Sequence, residues 1–267
     1  MIEKKMTLSR ETLKKIAQLK TKKGRNKQGR FLIEGVRLCE EAVKSAWEIE
    51  SLLYTGDAAE NPRVKALLQN AEKREIELCQ IRASNLNRIS DTVTSQGIAG
   101  VAKISDFTAD QLFQRRPEFI LALDSIKDPG NLGTLIRTAD AFGVDGVILS
   151  KDCVDLFNSK VVRSTMGSMF HVPIMTEIDL QDFLLDLKNR NFKILLTELK
   201  EGKNLEGLDL SGKFCLVMGS EAEGVSKDLI RLGDHLVKIP LWGKAESLNV
   251  AVACGILLHE IAKKRKT

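Results

Sequence analysis

The sequence predicts an α/β protein built from two successive units. In residues 118–267, short strands that are apolar along their whole length, such as 119–123 and 214–218, alternate with helices. Strands of this kind are typical of a parallel sheet that is covered by helices on both faces. A second alternation of strands and helices, over residues 30–104, is long enough for a smaller α/β domain with its own core.

The bulk composition indicates a soluble globular protein. The chain has 267 residues, of which 43% are hydrophobic and 29% charged, so it is long enough for one or two domains with a proper core. No apolar run reaches the roughly 18 residues that a membrane span needs. The N-terminus carries no apolar signal core, so we expect a cytoplasmic protein.

The cysteines and histidines give no support for a disulfide framework or a metal site. The five cysteines are scattered, odd in number and without C-x-x-C spacing, which fits a reducing compartment. The three histidines lie far apart in the sequence, and we interpret each as structural. We therefore expect no metal.

Positive charge is concentrated at the N-terminus. Residues 1–30 contain eleven Lys or Arg against two Glu, a balance of +9, which leaves −4 for the other 237 residues of a chain with net charge +5. A basic arm on a mildly acidic body favours a polyanionic partner, most simply nucleic acid. The alternatives are a solvated helix face with a disordered tail and, less favoured, an anionic membrane surface. Residues 9–19 read as a capped amphipathic helix and 21–30 as a flexible basic loop.

The smaller unit is predicted from alternating short segments. Its expected strands are 31–33, 49–54, 76–81 and 98–104, and its expected helices are 36–46, 62–73 and 83–90. A short helical segment at 109–113, followed by two arginines and Pro117, marks a boundary to the larger unit.

The larger unit is predicted from six apolar strands with helices between them. The expected strands are 119–123, 146–149, 172–175, 193–196, 214–218 and 236–239. The expected helices are 131–142, 159–168, 179–190, 225–231 and 247–264.

The first stretch with chemical potential follows the strand at 119–123. A Pro-Gly turn leads to Asn131 and Gly133 at a helix start, and Arg137 lies one turn further on. Free N–H groups at a helix N-terminus with a nearby arginine suit a phosphate. A tight turn with a surface arginine is the plain alternative. The chain contains neither G-x-x-x-x-G-K-[ST] nor G-x-G-x-x-G, so a nucleoside-triphosphate loop and an ordinary dinucleotide fold have no support.

Two further stretches also follow strands. The strand at 214–218 runs into Gly219, where a planar ligand can approach the backbone, and Glu221 could bind a ribose hydroxyl or an arginine. The strand at 236–239 leads into a polar loop, after which we expect a buried apolar helix capped by Ser247. Asn249 is a poor helix former, and capping at Ser247 leaves it unexplained. Loops that converge at the carboxyl ends of parallel strands are the usual place for an α/β ligand site.

Together the three stretches resemble the signature of the SpoU/TrmH family of RNA ribose 2′-O-methyltransferases, in the SPOUT superfamily. They read D-P-G-N-L-G-T-L-I-R-T-A-D-A-F-G at 128–143, V-M-G-S-E-A-E-G-V-S at 217–226 and I-P-L-W-G-K-A-E-S-L-N-V-A-V-A at 239–253. The resemblance implies a domain at 118–267 with a deep trefoil knot, an exception to the rule that folds are unknotted. Residues 30–105 resemble the family's RNA substrate-binding domain, which is similar to RNA-binding ribosomal proteins, with a basic arm at 1–29 and a linker at 106–117.

The resemblance also implies cofactor, partners and site residues. The methyl donor would be S-adenosylmethionine, and the enzyme a homodimer with its last helix in the interface. The positions that match the family's cofactor site are Thr197, Met218, Gly219, Ile239 and Leu248. The positions that match its catalytic polar residues are Asn131, Arg137, Glu221, Ser247 and Asn249.

The expected activity is methylation of a ribose 2′-hydroxyl, most simply in 23S ribosomal RNA. The family's usual assignment makes the arginine the base, but a guanidinium group stays protonated. We therefore expect Arg137 to bind a phosphate and orient the hydroxyl, with Glu221 holding it in place. A tRNA substrate, and a non-catalytic RNA-binding or ribosome-assembly protein, are the alternatives.

Overall fold

The computed structural model describes residues 8–92, 94–198, 202–208, 210–220 and 223–266. It divides into two compact units, which we call unit 1 (Met1–Ser105 with Asp155–Phe170) and unit 2 (Asp106–Val154 with His171–Thr267). The sequence does not indicate that a segment from the second half of the chain belongs to unit 1. The domain boundaries drawn from the sequence stay a prediction.

Unit 1 contains a four-stranded mixed sheet. Its strands are β1 (Arg30–Glu34), β2 (Ile49–Tyr54), β3 (Glu77–Gln80) and β4 (Ile98–Lys103), in the order β1-β4-β2-β3. β4 runs antiparallel to β1 and β2, whereas β2 and β3 are parallel. Its helices up to residue 105 are α1 (Arg10–Gln18), α2 (Lys22–Gln28), α3 (Val36–Lys44), α4 (Gly56–Ala59), α5 (Pro62–Lys73) and α6 (Ala83–Ile89).

The prediction of a flexible basic loop at 21–30 is wrong, because Lys22–Gln28 form α2 and Arg30 begins β1. Thr21 caps the helix by accepting a hydrogen bond from the backbone N–H of residue 24, and Gly29 ends it in the left-handed conformation at φ 61°. Arg25 is 3% exposed, pairs with the carboxylate of Asp155 and donates to the carbonyl of Leu19 at 2.9 Å. A buried arginine with these partners fixes the segment to the core of unit 1.

Unit 1 also holds an aromatic cluster that spans both of its chain segments. The Phe31 ring on β1 lies 4.8 Å from Phe157 and 5.7 Å from Trp47. Trp47 in turn meets Phe170 edge-on at 5.6 Å. Edge-on and tilted rings at such distances add to the stability that burial provides.

Unit 2 is built on a six-stranded sheet whose strands are all parallel, as predicted. The strands are β5 (Phe119–Leu123), β6 (Gly146–Ser150), β7 (Ile174–Ile178), β8 (Lys193–Thr197), β9 (Phe214–Met218) and β10 (His235–Val237), in the order β10-β8-β9-β5-β6-β7. The helices after residue 105 are α7 (Ala109–Gln114), α8 (Pro129–Ala141), α9 (Ser159–Ser164, in unit 1), α10 (Leu180–Asn189), α11 (Lys227–Ile230) and α12 (Val250–Lys266).

Several element boundaries in unit 2 differ from the predicted ones. The last strand ends at Val237 instead of residue 239, and the last helix begins at Val250 instead of Ser247. Leu112 of α7, inside the expected linker, is fully buried in the core of unit 2. The trefoil knot stays a prediction. None of the helices in the described ranges is long and apolar enough to cross a membrane.

Candidate active site

A cavity of about 510 Å³ opens at the carboxyl ends of three neighbouring strands of unit 2. Thr197, Met218 and Val237, the last residues of β8, β9 and β10, all line it. All five residues expected to bind the cofactor lie in its wall, namely Thr197, Met218, Gly219, Ile239 and Leu248. Ser247 lines it as well. Strand ends therefore place these residues together, as a parallel sheet does with its ligand sites.

The rest of the wall combines apolar surface with a few charges. Its apolar side chains include Val225, Ile230, Val237, Leu241, Val250 and Leu257. Four charged residues that the sequence analysis missed also line it, namely Glu198, Glu223, Lys227 and Lys238. Glu198 and Lys238 directly follow β8 and β10, so the strand-end criterion applied to every strand finds them.

Gly219 meets the backbone of the next turn so closely that no side chain fits. A Cβ at residue 219 would lie 2.0 Å from the carbonyl carbon of Gly224 and 2.2 Å from the nitrogen of Val225. The carbonyl of Ser220 accepts a hydrogen bond from Gly224 N–H at 2.9 Å, and Gly224 has φ 69°. Because neither glycine has a side chain, this part of the cavity wall consists of backbone atoms.

Asp124 is a buried carboxylate that the sequence analysis missed. It follows β5 directly and is 7% exposed. Its Oδ2 accepts the backbone N–H of Ser226 at 2.9 Å, while its own N–H donates to the carbonyl of Met218 at 2.8 Å. Asp124 thus ties the end of β9 to the loop that precedes α11. A carboxylate immediately after an apolar strand is the signal that points to it.

Asn249, and not Ser247, caps α12. Its Oδ1 accepts the backbone N–H groups of Ala251 at 3.0 Å and Val252 at 3.3 Å. Its Nδ2 donates to Oδ1 of Asn131 at 3.0 Å. The prediction of a Ser247 cap is wrong, because Ser and Asn are equally good caps and the chain uses the second of them. Asn249 therefore both caps α12 and bonds to Asn131, the other asparagine expected at the active site.

The N-terminus of α8 is capped by its own carboxylate. Asp128 Oδ1 accepts the backbone N–H of Asn131 at 2.8 Å, and Pro129 occupies the first helical position. We expected free N–H groups at this helix end to receive a phosphate. This expectation is wrong, because the carboxylate of Asp128 already lies there and repels an anion.

Arg137 lies on α8 with its side chain exposed. It makes no hydrogen bond or ion pair with any residue in the described ranges, so its guanidinium is available to a ligand. The expected partner Glu221 lies outside the described residues. The structure thus joins Asn131 to Asn249 and places Ser247 in the cavity wall, whereas Arg137 is bonded to none of them.

The cysteines and the potential metal ligands can be surveyed over the described residues. Within the described ranges, no group of three or more His, Cys, Asp or Glu side chains is arranged to hold a metal. All five cysteines are free thiols. Burial raises the pKa of Cys254 on α12 to about 12, which keeps this thiol neutral near pH 7.

Comparison with known proteins shows which family the chain resembles. Residues 118–259 match the SpoU rRNA Methylase family, and residues 10–100 match the MRM3-like substrate binding domain. The chain is 36% identical, over 91% of its length and 93% of the relative, to the 23S rRNA (guanosine(2553)-2′-O)-methyltransferase RlmP of Bacillus subtilis strain 168.

Solved structures with the same fold include cofactor complexes. The AdoMet-bound rRNA methyltransferase of Sinorhizobium meliloti has a TM-score of 0.85 and 32% identity, with 98% of each chain covered. The SpoU methyltransferase AviRb of Streptomyces viridochromogenes in complex with the cofactor AdoMet has a TM-score of 0.84 and 26% identity, with 97% of this chain and 99% of that one covered. The resemblance drawn from the three sequence motifs is therefore confirmed: this chain belongs to the SpoU rRNA methylase family.

Proposed function

We propose that this protein transfers a methyl group from S-adenosylmethionine to a ribose 2′-hydroxyl of RNA, with 23S ribosomal RNA as the substrate. The observation that carries the proposal is the cavity at the ends of β8, β9 and β10. Its wall contains Ser247 and Leu248, and the next residue, Asn249, is bonded to Asn131. The last of these wall residues, Leu248, is thus followed directly by Asn249 of the polar pair.

The chemistry of the cavity suits S-adenosylmethionine. Its volume of about 510 Å³ falls in the range of small-molecule sites. The apolar side chains Ile239, Leu248 and Leu257 offer contact to an adenine ring, and the backbone at Gly219 allows a planar group to come close. Glu198 and Glu223 can attract the cationic groups of the cofactor, while Lys227 and Lys238 can attract its carboxylate. When bound, the cofactor supplies an electrophilic methyl group on a sulfonium.

The polar residues have separable roles in this mechanism. A guanidinium group is a donor of hydrogen bonds and not a base, so we assign Arg137 the RNA phosphate next to the target ribose, which orients the 2′-hydroxyl for in-line attack. The side-chain oxygen of Asn249 caps α12, and its Nδ2 donates to Asn131. The two asparagines therefore form a fixed polar wall. Ser247 supplies a hydroxyl that can bond the ribose.

RNA binding falls to unit 1. The match to a substrate binding domain begins at residue 10 and so includes α1 and α2. Lys14, Lys15, Lys23 and Lys27 on these helices are exposed, while their apolar neighbours Ile16 and Leu19 are buried. A cationic face of this kind attracts the phosphate backbone, and the 2′-hydroxyl target distinguishes RNA from DNA.

A homodimer through α12 completes the proposal. Val252 and Ile256 stand one helical turn apart and are 53% and 40% exposed. The other bulky apolar residues near this pair, such as Leu257 and Leu258, are buried, so an exposed apolar pair fits a contact between two copies. We expect Ile256→Glu to give a monomer in sedimentation equilibrium. Leu185→Glu on α10, a leucine 43% exposed, is the matched control and keeps the dimer. A wild-type monomer at micromolar concentration would contradict this interface.

The decisive experiment compares 2′-O-methyls in total RNA from cells with and without the gene. Loss of one methyl from 23S rRNA, restored in vitro by the purified protein and S-adenosylmethionine, is the expected result. A cytoplasmic location is part of the same proposal. Loss of a tRNA methyl would favour the tRNA alternative. No lost methyl, with no S-adenosylmethionine binding by calorimetry, would favour a non-catalytic RNA-binding role.

A further inference from the structure

The two tryptophans of the chain have opposite surroundings. Trp47 is half-buried and packs against three phenylalanine rings of unit 1. Trp242 of unit 2 is 93% exposed. A tryptophan side chain that is exposed to water leaves a large apolar surface without a partner. A buried aromatic side chain typically removes about 150 Å² or more from water.

Trp242 belongs to a loop that contributes residues to the cavity wall. Its neighbour Leu241 lines the cavity and is itself 37% exposed, and Ser247 and Leu248 in the same loop line it as well. A Cβ at Gly243 would meet nothing within 4 Å. Within the described part of the chain, residues 239–248 make no hydrogen bond. The indole therefore projects from a loop that can adjust to a ligand at small cost.

We propose that Trp242 is a stacking platform for a base of the substrate RNA beside the methylated nucleotide. This inference rests on the proposed function. The 2′-hydroxyl of an unstacked nucleotide can enter a cavity, and an unstacked base gains a new partner in an aromatic ring. Exposed Lys244, two residues on, can meet the adjoining phosphate. Every base has a π face, so the contact gives affinity and position without reading sequence.

Intrinsic fluorescence tests the contact directly. In a Trp47→Phe protein, which keeps an aromatic ring in the cluster of unit 1, Trp242 is the single indole. A short single-stranded oligoribonucleotide should quench its emission, whereas heparin, a polyanion without bases, should not. Equal quenching by heparin or by S-adenosylmethionine alone would overturn the proposal. A blue shift that follows protein concentration without RNA would assign Trp242 to a second copy instead. The Trp242→Tyr protein, with Trp47 intact, shows whether any signal arises in unit 1.

Kinetics on unmodified 23S rRNA provide the second arm. Trp242→Ala should lower kcat/KM for RNA by about tenfold, the size expected for one lost stacked base, with affinity for S-adenosylmethionine unchanged. Trp242→Tyr, which can still stack, should retain most of the activity. An active wild type with an equally active Trp242→Ala protein would contradict this inference alone. A wild type that methylates no RNA would contradict the proposed function, and quenching by the oligoribonucleotide would still report on stacking.

Discussion

The side-chain amide of Asn249 donates a 3.0 Å hydrogen bond to the side-chain oxygen of Asn131, and this bond ties the start of α12 to the first turn of α8. The two residues are 118 positions apart in the chain. The same Asn249 caps α12 through its oxygen. One side chain thus holds two helix starts at the edge of the cavity.

The two functions of Asn249 can be separated by substitution. Asn249→Asp keeps an oxygen for the cap but loses the donor to Asn131, so we expect near wild-type stability and much lower methylation activity. Asn249→Ala loses both and should also lower the free energy of unfolding by about 1 kcal/mol, a typical cap. Urea unfolding and a methylation assay on 23S rRNA measure the two effects. Equal stability of the Ala and Asp proteins would show that the cap contributes nothing.

Gly219 should be intolerant of any side chain. A Cβ there would lie 2.0 Å from Gly224, so Gly219→Ala must push the two turns of the cavity wall apart. We expect at least a tenfold loss of affinity for S-adenosylmethionine in calorimetry. Gly207→Ala is the matched control, because a Cβ at residue 207 meets nothing within 4 Å. Unchanged affinity in Gly219→Ala would place the cofactor away from this turn.

Arg137 should matter for turnover and not for the cofactor or for stability. Its side chain is exposed and bonded to no described residue, so Arg137→Ala should leave the melting temperature unchanged. We expect a loss of activity of about 100-fold or more, because the phosphate and the 2′-hydroxyl are no longer oriented. Arg137→Lys keeps the charge but not the planar guanidinium group, so its activity should lie between those of the wild type and Arg137→Ala. Parallel loss of cofactor affinity would contradict this division of roles.

The basic arm should contribute to the salt dependence of RNA binding. Changing exposed Lys14, Lys23 and Lys27 to Gln should flatten the slope of log Kd against log salt by up to about 2, since each contact with a single-stranded phosphate contributes about 0.7. Substitution is preferable to deleting residues 1–28, because Arg25 is buried against Asp155 and its removal would disturb unit 1. Asn26→Ser, an exposed neutral change on the same helix, is the control. A slope that does not change would remove the arm from the RNA site.

The cysteines should react slowly in the native protein. Burial raises the pKa of Cys79, together with the nearby Glu77 carboxylate, to about 12, and burial raises that of Cys254 to about 12. The thiolate, the reactive form, is thus scarce at pH 8, whereas an unfolded cysteine titrates near 8.5. We expect Ellman's reagent to modify Cys153 first, because the other four thiols are fully buried, and to modify all five only after unfolding. Rapid modification of all five in native protein would contradict the described packing.

The strands can be predicted from local sequence because a buried strand is a short run of apolar residues. The six strands of unit 2 appear as apolar runs, and the rule that ligands bind at strand ends leads to Gly219, Ile239 and Leu248, which line the cavity. What local sequence does not carry is the choice between equivalent caps. Ser247 and Asn249 are both good caps, and only the contact with Asn131 favours the second.

The helix α2 was missed for a related reason. Its residues are charged or polar, so no apolar face marks it. The helix is held by Arg25, whose partner Asp155 lies 130 residues away. A buried arginine looks the same in sequence as an exposed one until its carboxylate is known.

The aromatic cluster of unit 1 limits how this protein can be taken apart. Phe31 and Trp47 come from the first third of the chain, but Phe157 and Phe170 arrive from a segment that leaves unit 2 after β6 and returns before β7. A gene fragment that stops at residue 105 would encode a substrate-binding part with half of that cluster missing. Recombining this part with the catalytic part of a relative therefore requires the exchange of two separate stretches of the gene, and evolution of RNA specificity by simple domain shuffling faces the same requirement.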